Sequence, residues 1–158
     1  MLSNDKLNRR QVLIGATAGA VGIGAAALSP ITALAAERSL VGTWDVQITD
    51  TSGPEPATSE GATTFAPGGG VVTMDSTSPS TGVGSWAKKG ERGAFVGRFM
   101  QFGFSPQGTS KVLVSIKGNL SEHDTISGTF TFKVYDLKGQ LLFDGGKGMF
   151  TGTRFSAG

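Results

Sequence analysis

Few groups in this chain could carry chemistry. The only histidine, His123, stands in the acidic turn Glu122-His123-Asp124, and the 158 residues contain no cysteine. Neighbouring carboxylates can make an imidazole more basic or add oxygen ligands. A closed zinc site, however, takes four nitrogen, sulfur or carboxylate donors, and no such set is spaced here. No metal site and no cofactor is therefore expected, and His123 reads as part of a solvated turn. Gly68-Gly69-Gly70 lacks the strand-to-helix setting and the lysine that give a phosphate-binding loop its meaning. General acid–base catalysis needs one positioned group beside a confined substrate. Glu60, Asp75, Glu91, Arg98 and Tyr135 are the candidates, and their ordinary role is solvent-facing charge or strand termination.

A denser signal is apolar. All 10 phenylalanines follow residue 64, and four of them, Phe95, Phe99, Phe102 and Phe104, fall in one short segment with Met100. Aromatic and methionine side chains suit the wall of a small-molecule cavity, and equally the filling of a small core. Phe95, Phe99, Met100, Phe102, Phe130 and Phe132 are the candidate ligand contacts. Phe95 and Phe99 share one strand face, while Met100 and Phe102 share the other. Which pair points inward stays open; if Phe95 and Phe99 do, they are expected to meet Phe130 and Phe132 across the interior.

These side chains must be positioned by strands. Trp44, Val46 and Ile48 alternate with polar residues, the period of a strand with one buried face. Residues 50–59, with two prolines and a glycine, read as a loop, and 75–81 as another. Thr63-Thr64-Phe65 and Val71 to Met74 flank the turn Pro67-Gly68-Gly69-Gly70, and Gly82 to Ala87 reads as a short strand. Val112, Val114 and Ile116 face opposite to Leu113, Ser115 and Lys117. Ile126, Gly128, Phe130, Phe132 and Val134 share one face. Gly145-Gly146 is a candidate bulge in the last strand. About eight strands with short connections and no helix predict an all-β domain: a single antiparallel up-and-down β-barrel, since closure removes exposed edges. A two-sheet sandwich is the alternative.

Gly42-Thr43-Trp44, opening the first strand, resembles the Gly-x-Trp opening of the lipocalin (calycin) superfamily. In that family an arginine of the last strand packs near the tryptophan at the closed end of the barrel, and the resemblance assigns this structural role to Trp44 and Arg154. Stacking of a guanidinium on an indole is physically sound in its own right. Allene oxide cyclase and dirigent-like barrels look similar in length, glycine content and strand rhythm. The resemblance implies a barrel able to hold a hydrophobic ligand.

The first 35 residues are read as a delivery segment. Asn8-Arg9-Arg10-Gln11-Val12-Leu13 resembles the twin-arginine export signal. A weakly hydrophobic Gly/Ala-rich run follows, then Pro30 and the small-x-small end Ala33-Leu34-Ala35. The expected division is 1–35 as a cleaved twin-arginine-type signal peptide and 36–158 as the β-barrel domain. The implied partner in export is the twin-arginine translocase, and the implied location is periplasmic or extracellular. The chain has 14 Lys+Arg and 12 Asp+Glu; without Lys6, Arg9, Arg10 and Asp5 it has 11 of each, a formal net charge of zero. No long basic run survives, so nucleic acid is not an expected partner. The leading expectation is an exported barrel that binds a small, mostly apolar molecule. The alternatives are a cyclase- or isomerase-like barrel enzyme acting on an apolar substrate, and a structural or protein-interaction module with a filled core.

Overall fold

The computed structural model describes residues 39–90 and 93–156. The expected signal peptide, its boundary at residue 36, and Glu91 lie outside the described residues. Eight strands follow one another: β1 (Gly42–Asp50), β2 (Ala57–Phe65), β3 (Gly70–Asp75), β4 (Ser78–Lys88), β5 (Ala94–Ser105), β6 (Gly108–Leu120), β7 (Thr125–Tyr135) and β8 (Leu141–Arg154). Each pairs antiparallel with the next, and β8 returns to β1, closing an up-and-down barrel in strand order. The sandwich alternative is thereby excluded.

Two strands begin earlier than their composition suggests. Ala57 to Ser59 pair with Asp50 to Ile48, so β2 claims the end of the expected 50–59 loop. Ser78 to Thr81 belong to β4 and not to a loop. Cross-strand partners override weak local propensity here. The Ser80 hydroxyl donates to the carbonyl of Phe102 (2.5 Å) and accepts the Phe102 N–H (2.9 Å). It thereby serves both backbone groups of Phe102 before the β4–β5 register begins at Val83↔Met100. Gly145 is the extra residue of a bulge: Phe132 pairs with Gly146 and Lys133 with Asp144, and Gly145 takes φ +109°.

A recurring pairing shapes the inner face. Phe95 lies opposite Gly118, Phe130 opposite Gly148, Phe132 opposite Gly146 and Phe150 opposite Gly128. At each of these glycines a Cβ would collide with the ring of its partner. The bare glycine backbone lets the ring lie flat across the neighbouring strand, a cross-strand use of aromatic over glycine. The barrel thus packs large rings on a tight inner surface.

The core lies towards one end. Leu40, Trp44, Phe65, Val71, Phe95 and Ile126 are buried there. Phe95 meets Phe65 at 5.4 Å and Phe150 at 6.3 Å between centroids, and Trp86 stands edge-on to Phe65 at 5.7 Å. The indole N–H groups are satisfied locally: Trp44 donates to Leu40 O (2.9 Å) and Trp86 to Ala66 O (3.1 Å). This aromatic layer is a floor across the barrel.

Candidate ligand cavity

Above the floor the barrel is hollow. A cavity of about 500 Å³ reaches from Phe65, Ile126 and Phe150 to the rim where the β1–β2, β3–β4 and β5–β6 connections meet. A core that closes one end and leaves the other open reconciles the two uses of the phenylalanines weighed from the sequence. Its wall is the inward parity of the strands: Val46 and Ile48 from β1, Val112, Val114 and Ile116 from β6, Phe130 and Phe132 from β7. The rings of Phe130 and Phe132 stack at 6.4 Å, and Phe132 meets Phe143 at 5.8 Å.

The candidate contacts separate into three groups. Phe99, Phe130 and Phe132 line the cavity together. Phe95 points inward as well but is sunk in the floor, where it packs on Phe65 and Phe150 in place of the expected Phe130 and Phe132. Met100 and Phe102 fall on the outer face, out of phase with the lining residues Phe99, Gln101 and Gly103. Outside, Met100 joins a cross-strand row with Val83 and Leu113, and Phe102 is 38% exposed. β5 is apolar on both faces, so its alternation carries no direction.

Polar groups in the lining went unnoticed in the sequence. Thr63 and Thr73 are buried, face each other across the β2–β3 ladder, and share a hydrogen bond of 2.9 Å. Gln101 joins them in the wall. Their signal was available in the period of two: Thr63 keeps phase with Phe65, and Thr73 with Val71.

Among the described residues, formal charge in the lining is confined to Asp50 and Asp75 at the rim. Each is engaged in a turn: Asp50 Oδ1 accepts the Ser52 N–H (2.8 Å), and Asp75 Oδ1 accepts the N–H (2.8 Å) and hydroxyl (2.9 Å) of Thr77. Of the acid–base candidates among the described residues, Asp75 alone lines the cavity. Glu60 and Arg98 are exposed, and Tyr135 lies beneath the Lys111 ammonium, 5.7 Å from its ring centroid. His123 is exposed in the β6–β7 turn at the closed end, its backbone N–H held by Ser121 Oγ at 3.1 Å. Among the described residues no group of three or more His, Cys, Asp or Glu side chains is arranged to hold a metal ion.

The closed end has its own cluster. Arg154 stacks on Trp44 and donates to Val41 O (3.0 Å) and Ser39 O (2.6 Å). Its Nη2 also reaches Asp124 Oδ1 at 3.4 Å, a partner that the sequence did not suggest. No protein-family profile matches the chain, and no curated protein and no solved structure matches it either.

Proposed function

We propose that this protein binds a small, mostly apolar molecule inside the barrel. The observation that carries the proposal is the cavity of about 500 Å³, walled by aliphatic and phenylalanine side chains above a packed aromatic floor. Such a volume is in the range of small-molecule sites. Apolar burial supplies roughly 25 cal/mol per Å² before the costs of association are subtracted. The Gly42-Thr43-Trp44 opening and Arg154 on the last strand support a lipocalin-like relationship. Among the described residues Asp75 is the one acid–base candidate in the wall, and a turn already engages its carboxylate. The proposal is accordingly a carrier or sequestering protein. Residues 1–35 are proposed as its twin-arginine signal, with the barrel acting in the periplasm or outside the cell.

The test is native mass spectrometry of protein purified from its own cell, followed by titration with the neutral fluorescent probe N-phenyl-1-naphthylamine. A co-purifying small molecule, or saturable probe binding at one site, is expected. Val112→Trp, which places an indole in the cavity, is expected to abolish it while the barrel stays folded. Absence of both signals from the wild-type protein overturns the proposal.

A further inference from the structure

One stretch of the cavity wall is polar, and its hydrogen bonds do not close. Thr63 and Thr73 are 9% and 6% exposed, and their Oγ1 atoms lie 2.9 Å apart. Two hydroxyls bring two protons. The bond between them uses one, and among the described residues neither hydroxyl has another protein partner. The second proton therefore remains to be donated, and both residues line the cavity.

Gly82 extends this stretch. It lies opposite Thr73, and a Cβ there would stand 2.6 Å from Thr73 Cγ2 and 3.4 Å from the Gln101 side-chain amide. Thr73 and Gln101 thus flank bare backbone, and the Gln101 amide likewise has no protein partner among the described residues. The described lining contains no lysine, arginine or histidine, and its only charges, Asp50 and Asp75, are negative.

We infer that the cavity selects a neutral apolar molecule bearing a hydrogen-bond-accepting oxygen, of the ketone, ester or alcohol class, which accepts the free hydroxyl proton of the Thr63–Thr73 pair. The inference rests on the binding function proposed above and specifies its ligand. A pure hydrocarbon leaves the buried donor unpaired, which is costly in an apolar site. A site built around such a donor discriminates against analogues that lack the acceptor. A carboxylate passes two negative charges at the rim and meets no cation inside, so its desolvation is uncompensated.

Three ligands of one ring system separate these cases: 2-acetylnaphthalene, 2-ethylnaphthalene and 2-naphthoate, each competing with N-phenyl-1-naphthylamine. The ketone is expected to displace the probe at about tenfold lower concentration than the ethyl compound, the worth of one neutral hydrogen bond, with the naphthoate weakest. In the double variant Thr63→Val/Thr73→Val the ketone and ethyl compound are expected to become equal. Replacing both partners together leaves no orphaned hydroxyl, so the fold is preserved. Equal displacement by ketone and ethyl compound in the wild-type protein overturns the inference without recourse to any variant. So does a ketone preference that survives the double substitution, or a naphthoate that competes best. If the probe itself fails to bind saturably, the binding function falls, and the ligand class with it.

Discussion

Arg154 lies directly across the β1–β8 seam from Trp44, its guanidinium carbon 4.4 Å from the indole ring centroid. The seam is where the first and last strands close the barrel, and the pair joins them on its inner side. Trp44 is fully buried, while Arg154 spends its fork on the carbonyls of Ser39 and Val41. The guanidinium therefore ties the chain entering β1 to the end of β8.

Trp44→Ala is expected to cost roughly 3–5 kcal/mol, as for other large buried aromatics. Arg154→Lys keeps the charge but loses the planar fork and the stack, and is expected to destabilise as well. In a double-mutant cycle of Trp44→Ala and Arg154→Ala the coupling should be at least about 0.5 kcal/mol. Additive denaturation free energies would show that the stack contributes nothing.

The phenylalanine-over-glycine pairs make a prediction whose sign depends on the background. At Gly146 the three atoms nearest the place of a Cβ all belong to the Phe132 ring. Gly146→Ala alone is expected to destabilise by about 1–3 kcal/mol through overpacking. With Phe132→Ala beside it, those nearest atoms are gone. The same substitution should then stabilise relative to Phe132→Ala alone, by up to about 1 kcal/mol from reduced backbone entropy. Gly53→Ala, where a Cβ meets nothing closer than 3.6 Å, is the unobstructed control and should not destabilise. Equal costs for Gly146→Ala in both backgrounds, read by urea denaturation, would contradict this packing.

Beside the Gly145 bulge, Lys133 Nζ binds Asp144 Oδ2 at 2.7 Å. The hydrogen bond to Asp144, and next its charge, hold the lysine pKa above its ordinary value. A raised folded-state pKa means stabilisation that is complete below the ordinary lysine range and lost as pH rises through the folded value. Asp144→Asn is expected to return the Lys133 titration towards the ordinary range, measured by NMR of the side-chain nitrogen. Because the pair is exposed and screened, the melting temperature at neutral pH should hardly move.

Export is tested at the paired arginines. Replacing Arg9 and Arg10 by lysine is expected to leave uncleaved precursor inside the cell, whereas the wild-type mature chain is expected to start at Ala36 or Glu37 by N-terminal sequencing. Normal export of the Lys-Lys variant would remove the twin-arginine assignment.

Local periodicity was enough to recognise the strands and most of their faces. Trp44, Val46 and Ile48, or Val112, Val114 and Ile116, contrast with polar neighbours, and a period of two needs no distant partner to be read. The bulge at Gly145-Gly146 was legible from the adjacent glycines within a strand. Where that contrast fails, so does the sequence. β5 has Phe95 and Phe99 on one face and Met100 and Phe102 on the other, and the choice is made by neighbouring strands, where the Phe95 ring lies over Gly118 and the Phe99 ring over Gly82. The 57–59 and 78–81 segments are strands because neighbours supply their hydrogen bonds, which no local composition records. Thr63 and Thr73 suit either face of a strand, and their meeting beside Gln101 depends on the β2–β3 and β3–β4 registers. Closure itself rests on β8 pairing with β1, more than ninety residues away. That long-range pairing, with Phe65, Phe95 and Phe150 gathered into a floor at one end, decided that the interior would be half core and half cavity.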